Sequence, residues 1–227
     1  MLVIVAAELD AVAVAAASSW NGPARVCTPA DLSRPGWSVE VGNLAGASIV
    51  ADAQRVSLRD VRAIVNVLPG LAPPQLFRIE EEDRTYAAIE GNAFLTWLLA
   101  FAPCPVTNRA TAASLHGCGW GNERWNLEAQ RCGLLAVADT GTFTLVGDTV
   151  FGSFTERRTP ISGPSQLESG MRLLARTARM SYLRIEIDGT DQRTPPVIRR
   201  VHVVPDLSDQ VVVASLRRHL LTSRSLT

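Results

Sequence analysis

The sequence predicts an α/β protein, with a strand–helix N-terminal domain followed by a small α+β domain built on an antiparallel sheet. Three observations carry this. Leu2 to Ala6 is a short apolar run suited to a buried strand, and Asp10 stands where it can cap the alanine-rich stretch Ala11 to Ser19. Residues from about Glu80 to Phe101 recur at helical spacing between an acidic start and two prolines. From about Thr142 the pattern changes to short alternating runs around Gly147-Asp148, the mark of a hairpin.

The elements follow in order. Arg25 to Thr28 reads as a second strand. Trp37 to Val41 and Ala47 to Ala51 alternate apolar and polar as hairpin strands do. Ala63 to Leu68 (AIVNVL) is a buried strand ended by Pro69-Gly70. The helix from Glu80 to Phe101 opens on Glu80, Glu81, Glu82 and Asp83, which suit the positive end of a helix dipole; Tyr86, Ile89, Ala93, Trp97 and Ala100 form its apolar row. Pro105 to Asn108 reads as a short strand, Thr111 to Leu115 as a helical turn, and Asn122 to Cys132 as a helix ended by Gly133. After the hairpin over 143–151, residues 152–165 read as a loop and Leu167 to Arg179 as a helix. Tyr182 to Ile187 and Val197 to Val204 read as strands, and Ser208 as the cap of a last helix through Leu221. The change of pattern near 135–141 predicts domains at 1–135 and 142–227.

Composition narrows the function. Of 227 residues, 47% are hydrophobic, enough for real cores. The 22 basic residues balance 22 acidic ones, so no broad field draws the chain to nucleic acid or to anionic membrane. All the basic residues are arginine. A lysine-free chain forms no Schiff base and holds no nucleotide phosphate with a lysine amine; arginine can grip phosphate, with a planar fork in place of a point charge. Cys27, Cys104, Cys118 and Cys132 form no CxxC pair. Met1 to Trp20 is apolar but lacks a basic start and is broken by Glu8 and Asp10, so a cytoplasmic protein without a membrane span is expected.

The segment from Leu95 to Gly133, with TWLLAFAPCPVTNRATAASLHGCGW followed by NERWNLEAQRCG, resembles the end of the pre-ATP-grasp domain of ATP-grasp ligases, and AIVNVLPG resembles a strand of the same domain. FTLVGDTVFGSF, then MRLLARTARMSYLRIEID and VHVVPDL, resemble in order the closing part of the ATP-grasp domain. The resemblance implies a Rossmann-like pre-ATP-grasp domain over 1–135 and a truncated ATP-grasp-like α+β domain over 142–227. It also implies a metal set on two late strands, with Glu186 and Asp188 as carboxylates and His202 where a further magnesium ligand belongs. The family's central nucleotide-binding block has no counterpart in the short stretch from Gly133 to Asp148.

Candidate sites follow. Alternation puts Glu186 and Asp188 on one strand face, which His202 can join as a metal-binding or acid–base group; the plain alternative is a solvated sheet face. Cys104, His116, Cys118 and Cys132 have zinc-ligand types without zinc spacing. The pairs Arg157-Arg158, Arg199-Arg200 and Arg217-Arg218 can fork onto carboxylate or phosphate, Arg157 and Arg158 from a predicted loop. Among Trp97, Trp120 and Trp125, Trp120 sits on the GCGWG loop, where it can anchor a partner or fold back on the core.

With no lysine and no central block, the expectation is a catalytically degenerate scaffold that uses no cofactor and binds a peptide or a biosynthetic enzyme, with a homodimer possible. The alternatives are an active ATP- and magnesium-dependent carboxylate–amine ligase with arginines for lysines, or a metal-dependent enzyme using Glu186, Asp188 and His202.

Overall fold

A computed structural model describes residues 1–39, 43–134, 140–156, 164–189 and 196–222. The chain is a mixed α/β protein that divides into two compact units, Met1–His116 with Asp206–Thr227, and Gly117–Pro205.

The first unit is built on a parallel sheet. Strand β1 (Leu2–Val5) leads through helix α1 (Ala11–Ser19) to β2 (Ala24–Cys27), which lies parallel to it. Asp10 caps α1 as predicted, its carboxylate accepting from the backbone of Val12 and Ala13 at 3.0 Å each. The short helix α2 (Pro29–Leu32) starts at a capping box between Thr28 and Asp31. Strand β5 (Ala63–Asn66) pairs with the other edge of β1, giving the order β2-β1-β5. Both faces of β1 and β5 are buried, as in sheets covered on both sides.

A hairpin stands between them, and it differs from the expected one. Strand β3 (Ser48–Ala51) pairs with β4 (Gln54–Ser57), while the Trp37 segment contributes a single bridge from Ser38 to Ser48. The turn places Asp52 and Ala53 at φ of 50° and 58°. A tight hairpin turn wants positive φ at both central positions, where Asn-Gly is the usual signal. Here Ala53 stands for the glycine, and the strain is offset by anchors: its N–H donates to Asp31 Oδ1 at 2.9 Å, and the Asp52 N–H to the Val26 carbonyl at 2.9 Å.

Helix α3 (Arg84–Phe101) is apolar on more than one side. Its core face is Ala88, Leu95, Leu98 and Leu99, whereas Tyr86, Ile89 and Ala93 of the expected row are exposed. Asn92 fastens the helix by exchanging hydrogen bonds with the backbone of Leu71, 2.9 Å each way. At the other end, Arg109 donates to the carbonyls of Ala100, Ala102 and Cys104, closing the terminus that Pro103 and Pro105 create. Val106 makes one bridge to Ile64, and Thr111 one to Ser114, so neither the short strand nor the helical turn forms there.

At the end of β5, Asn66 is buried and fully engaged. Its Oδ1 accepts from the Leu68 N–H, and its Nδ2 faces the Leu115 carbonyl and His116 Nε2, each at 3.2 Å. Since Nδ2 donates, Nε2 of His116 is the bare nitrogen and the ring is neutral. Burial lowers the His116 pKa below its ordinary 6.5. The folded state therefore resists a proton that the unfolded chain accepts. The stability His116 supports is complete above about pH 6.5 and is lost as pH falls from there toward the folded pKa. Denaturant midpoints measured between pH 7.5 and 5 are expected to fall in the parent and to fall less in His116→Gln.

The second unit holds helix α4 (Asn122–Arg131), strands β6 (Thr140–Val146) and β7 (Thr149–Glu156), helix α5 (Pro164–Ala178), and strands β8 (Tyr182–Asp188) and β9 (Val197–His202). The sheet is antiparallel throughout, in the order β7-β6-β8-β9. Gly147, at φ 59°, takes the first central position of the β6–β7 turn. Gly152 faces Phe143, where a Cβ would run into the Thr142 carbonyl oxygen. Leu167, Met171, Leu174, Ala175 and Ala178 of α5 pack with Trp125 and Ala129 of α4 on Phe143, Leu145, Leu183, Ile185, Ile187 and Ile198. The chain returns to the first unit in α6 (Gln210–Thr222), capped by Asp209 and not by the expected Ser208. Among the described residues no helix is long and apolar enough to cross a membrane.

Candidate functional site

The site is the face of the antiparallel sheet opposite the helices α4 and α5, partly exposed from Arg184 to Asp188 and closed at the Tyr182 end. Strand alternation makes it: Leu183, Ile185 and Ile187 of β8 point into the core, so Arg184, Glu186 and Asp188 share the opposite face, each partly exposed. Register adds the neighbours. On β9, His202 stands opposite Arg184 and Arg200 opposite Glu186; on β6, Thr144 stands opposite Arg184 and Thr142 opposite Glu186. Paired residues of an antiparallel ladder project to one side, so two guanidiniums, two carboxylates, an imidazole and two hydroxyls share a single surface.

One contact organises the centre. His202 Nε2 lies 3.0 Å from Glu186 Oε1, a diagonal pair across β8 and β9. That hydrogen bond, with the positive fields of His202, Arg200 and Arg184, holds the Glu186 carboxyl below its ordinary pKa against a smaller opposing effect of burial. Glu186 is thus a fixed anion at neutral pH, set among cations.

The edge is fixed as well. The register slips by one residue between Glu186 and Ile187, leaving Arg199 as an extra residue on β9. The Asn126 side chain of α4 then acts as a substitute strand partner: Ile198 N–H donates to its Oδ1 at 2.8 Å, and its Nδ2 donates to the Ile198 carbonyl at 3.2 Å. This pins the bulge and protects the edge.

The other expected residues fall elsewhere. Trp120 is half-buried and packs on the buried Trp125, ring centroids 4.9 Å apart, with the Arg124 guanidinium 5.1 Å above it. Trp97 lies on α3 beside Phe94. Arg217 and Arg218 are on α6. Arg157 and Arg158 lie outside the described residues. The four zinc-type residues do not gather: among the described residues no three His, Cys, Asp or Glu side chains form a metal-holding group. Burial also pushes the Cys104 thiol up to about 11 and raises those of Cys118 and Cys132, whereas zinc binds thiolate. Arg184 belongs to the site and was not singled out from the sequence, though the alternation Arg184-x-Glu186-x-Asp188 carries the signal.

The donor set fits a magnesium nucleotide. Magnesium keeps most of its water and is held by one or two carboxylates plus phosphate oxygens, so no closed cage is needed. Glu186 and Asp188 would supply the carboxylates, and Arg184 and Arg200 carry the guanidinium forks that suit phosphate. His202, the third residue of the expected metal set, is engaged with Glu186 through Nε2.

No family model and no curated protein matches the chain by sequence. Solved structures do match in fold. The macrocyclase MdnC from Microcystis aeruginosa MRC, bound with precursor peptide MdnA, superposes with a TM-score of 0.69 at 12% identity over 98% of this chain and 99% of its own. A Chryseobacterium gregarium RiPP-associated ATP-grasp ligase, in complex with ADP and a leader and core peptide, gives 0.62 at 9% identity over 96% of each chain. The ATP-grasp ligase PsnB, complexed with a variant of its minimal precursor, magnesium and ADP, gives 0.58 at 12% identity over 89% of this chain and 88% of that one. The chain therefore shares the fold of ATP-grasp ligases and macrocyclases.

These matches correct the expectation of a degenerate, cofactor-free scaffold. That expectation rested on the short stretch from Gly133 to Asp148 and on the absence of lysine. The likeness instead runs nearly end to end along both chains for MdnC, and two of the matched ligases were solved with ADP, that of PsnB with magnesium as well. The peptide complexes among them agree with the expected peptide partner.

Proposed function

We propose that this chain is an ATP-dependent carboxylate–amine ligase of the ATP-grasp type that joins side chains of a peptide, closing a ring as a macrocyclase does. The observation that carries the reading is the Glu186–His202 pair among Arg184, Arg200 and Asp188, on the partly exposed face of a sheet belonging to this fold. When bound, ATP with magnesium supplies the phosphoryl group that activates a carboxylate, from which an amine displaces inorganic phosphate.

The chain's own residues do the rest. Glu186 and Asp188 would hold the metal, and Arg184 and Arg200 would hold phosphate oxygens and offset their negative charge. His202 fixes the direction of the Glu186 carboxylate by its hydrogen bond, a positioning role. On this reading the short Gly133–Asp148 connection changes which residues meet the nucleotide, with arginine standing where the family uses lysine. The first unit is then the Rossmann-like pre-ATP-grasp domain, and the β6–β9 sheet the remaining ATP-grasp wall.

Peptides carrying both carboxylate and amine side chains, incubated with the protein and Mg-ATP, test this. Mass spectrometry is expected to show products lighter by one water per bond, with one ADP formed for each. ADP formation that ignores peptide, or no ADP with any of these peptides, would overturn the reading.

A further inference from the structure

The first unit carries a cavity at the end of its parallel sheet where the strands begin. Leu2, Ala24 and Ala63 stand in register at that end. The cavity, of about 320 Å³, is lined by Met1, Leu2, Ala63, Arg62, the turn at 20–23 and Leu221 of α6. Ligands of open parallel sheets usually sit at the opposite end, beyond the carboxyl ends of the strands, so the fold alone does not account for this one.

The local sequence builds it. Helix α1 ends at Ser19, and Trp20 leaves it in extended backbone, its N–H donating to the Ala17 carbonyl at 3.2 Å. The turn through Gly22 and Pro23 feeds β2 and folds the indole inward: Trp20 is only 8% exposed, although it stands at a helix end. Backbone bonds fix the rim. The Leu2 N–H donates to the Pro23 carbonyl at 2.9 Å, and the Arg62 N–H to the Met1 carbonyl at 2.7 Å. A ligand therefore meets walls that are already ordered, which lowers the cost of binding.

The chemistry of the walls is one-sided. Leu2, Trp20, Pro23, Ala63 and Leu221 are apolar, and Arg62 is the one charged side chain on the lining. Arg62 is exposed, and among the described residues no carboxylate pairs with it and no acceptor meets the Trp20 indole N–H. A buried indole usually finds a partner for that N–H, and a guanidinium fork binds a carboxylate bidentately. A neutral apolar ligand would leave both donors unused. A polyanion would set against apolar walls more charge than one guanidinium offsets. The volume is at the small end for ligand pockets and suits roughly a dozen non-hydrogen atoms.

We infer that this cavity binds a small organic acid, with a single carboxylate on Arg62 and an apolar body against Trp20, Leu2 and Leu221. All its residues belong to the first unit and none to the Glu186 face, so the inference is independent of the ligase reading.

Hydrocinnamate is the probe. Hydrocinnamide offers the same body without the charge, and acetate the charge without the body. Titrated calorimetrically into the full chain, hydrocinnamate is expected to saturate one site with a Kd of about 0.1–1 mM, the range for a ligand of this size, and to bind at least tenfold tighter than either relative. Arg62→Gln is expected to weaken hydrocinnamate at least tenfold and to erase its advantage over the amide. Arg59→Gln, three residues away and outside the lining, and the double variant Arg184→Ala/Arg200→Ala on the sheet face are expected to bind it as the parent does. Arg59 and Arg62 are both exposed, so melting curves of their variants are expected to coincide with the parent's. No saturation below about 10 mM, equal binding of acid and amide, or an affinity indifferent to Arg62→Gln would each overturn the inference. Equal weakening in Arg59→Gln, or loss in the double variant, would overturn it by placing the acid elsewhere.

Discussion

Glu186→Gln is expected to lower peptide-dependent ADP formation by about two to three orders of magnitude, the size of effect seen when one charge-stabilising group is removed from a site. The substitution keeps the shape of the side chain and its reach toward His202, and removes the charge that would face magnesium. Stability is expected to change little, because Glu186 is partly exposed, with 29% of its side chain open to solvent. His202→Gln is expected to cost less, about 10- to 100-fold, since His202 acts through the carboxylate it orients. That loss should fall on the rate more than on peptide affinity, because His202 meets only the carboxylate. Steady-state rates with melting curves for both variants check the pair of expectations. Equal losses of activity and of folding in Glu186→Gln would mean that the residue merely supports the sheet.

The second large effect lies one residue away and on the other side of the strand. Ile185 is fully buried between β8's neighbours and the helices α4 and α5, paired with Phe143 and Val201. Ile185→Ala is expected to destabilise the protein by about 2–5 kcal/mol, from lost burial and from the cavity left behind. For a chain of this size that is a fall in melting temperature of roughly 5–15 °C. Arg184→Ala, its neighbour on the opposite face, is expected to cost clearly less in melting temperature than Ile185→Ala and to weaken nucleotide binding. The pair separates the two faces of β8 by experiment. Similar melting losses in both would deny that the strand has a covered side and a partly exposed one.

Much of this was legible in the sequence where the signal is local. The Asp10 cap, the β6–β7 hairpin at Gly147 and the α5 helix depend on neighbouring residues and are found as read. The β3–β4 hairpin was misread because its turn uses Asp52 and Ala53, which hold positive φ through Asp31 and Val26, residues more than twenty positions away. The core face of α3 was misread because the helix is apolar on two sides, so that periodicity alone did not say which one is covered. At the site, period-two alternation correctly put Glu186 and Asp188 together, and His202 reaches Glu186. What alternation does not give is register. The opposition of Arg200 to Glu186 depends on the extra residue Arg199, and that bulge is held by Asn126 from a distant helix. The degenerate reading weighed the missing lysines and the short Gly133–Asp148 stretch above the arginines named as their alternative, and the nearly end-to-end likeness in fold to ATP-grasp ligases overturns it.

Calorimetric titration of Mg-AMPPNP into the parent and into the double variant Arg184→Ala/Arg200→Ala bears most directly on the proposed assignment of this face to phosphate. Saturable binding at one site is expected in the parent, weakened at least tenfold in the double variant, whose melting curve stays that of the parent. No binding by the parent at millimolar nucleotide, or equal affinity in both, would contradict the assignment of this face to a nucleotide.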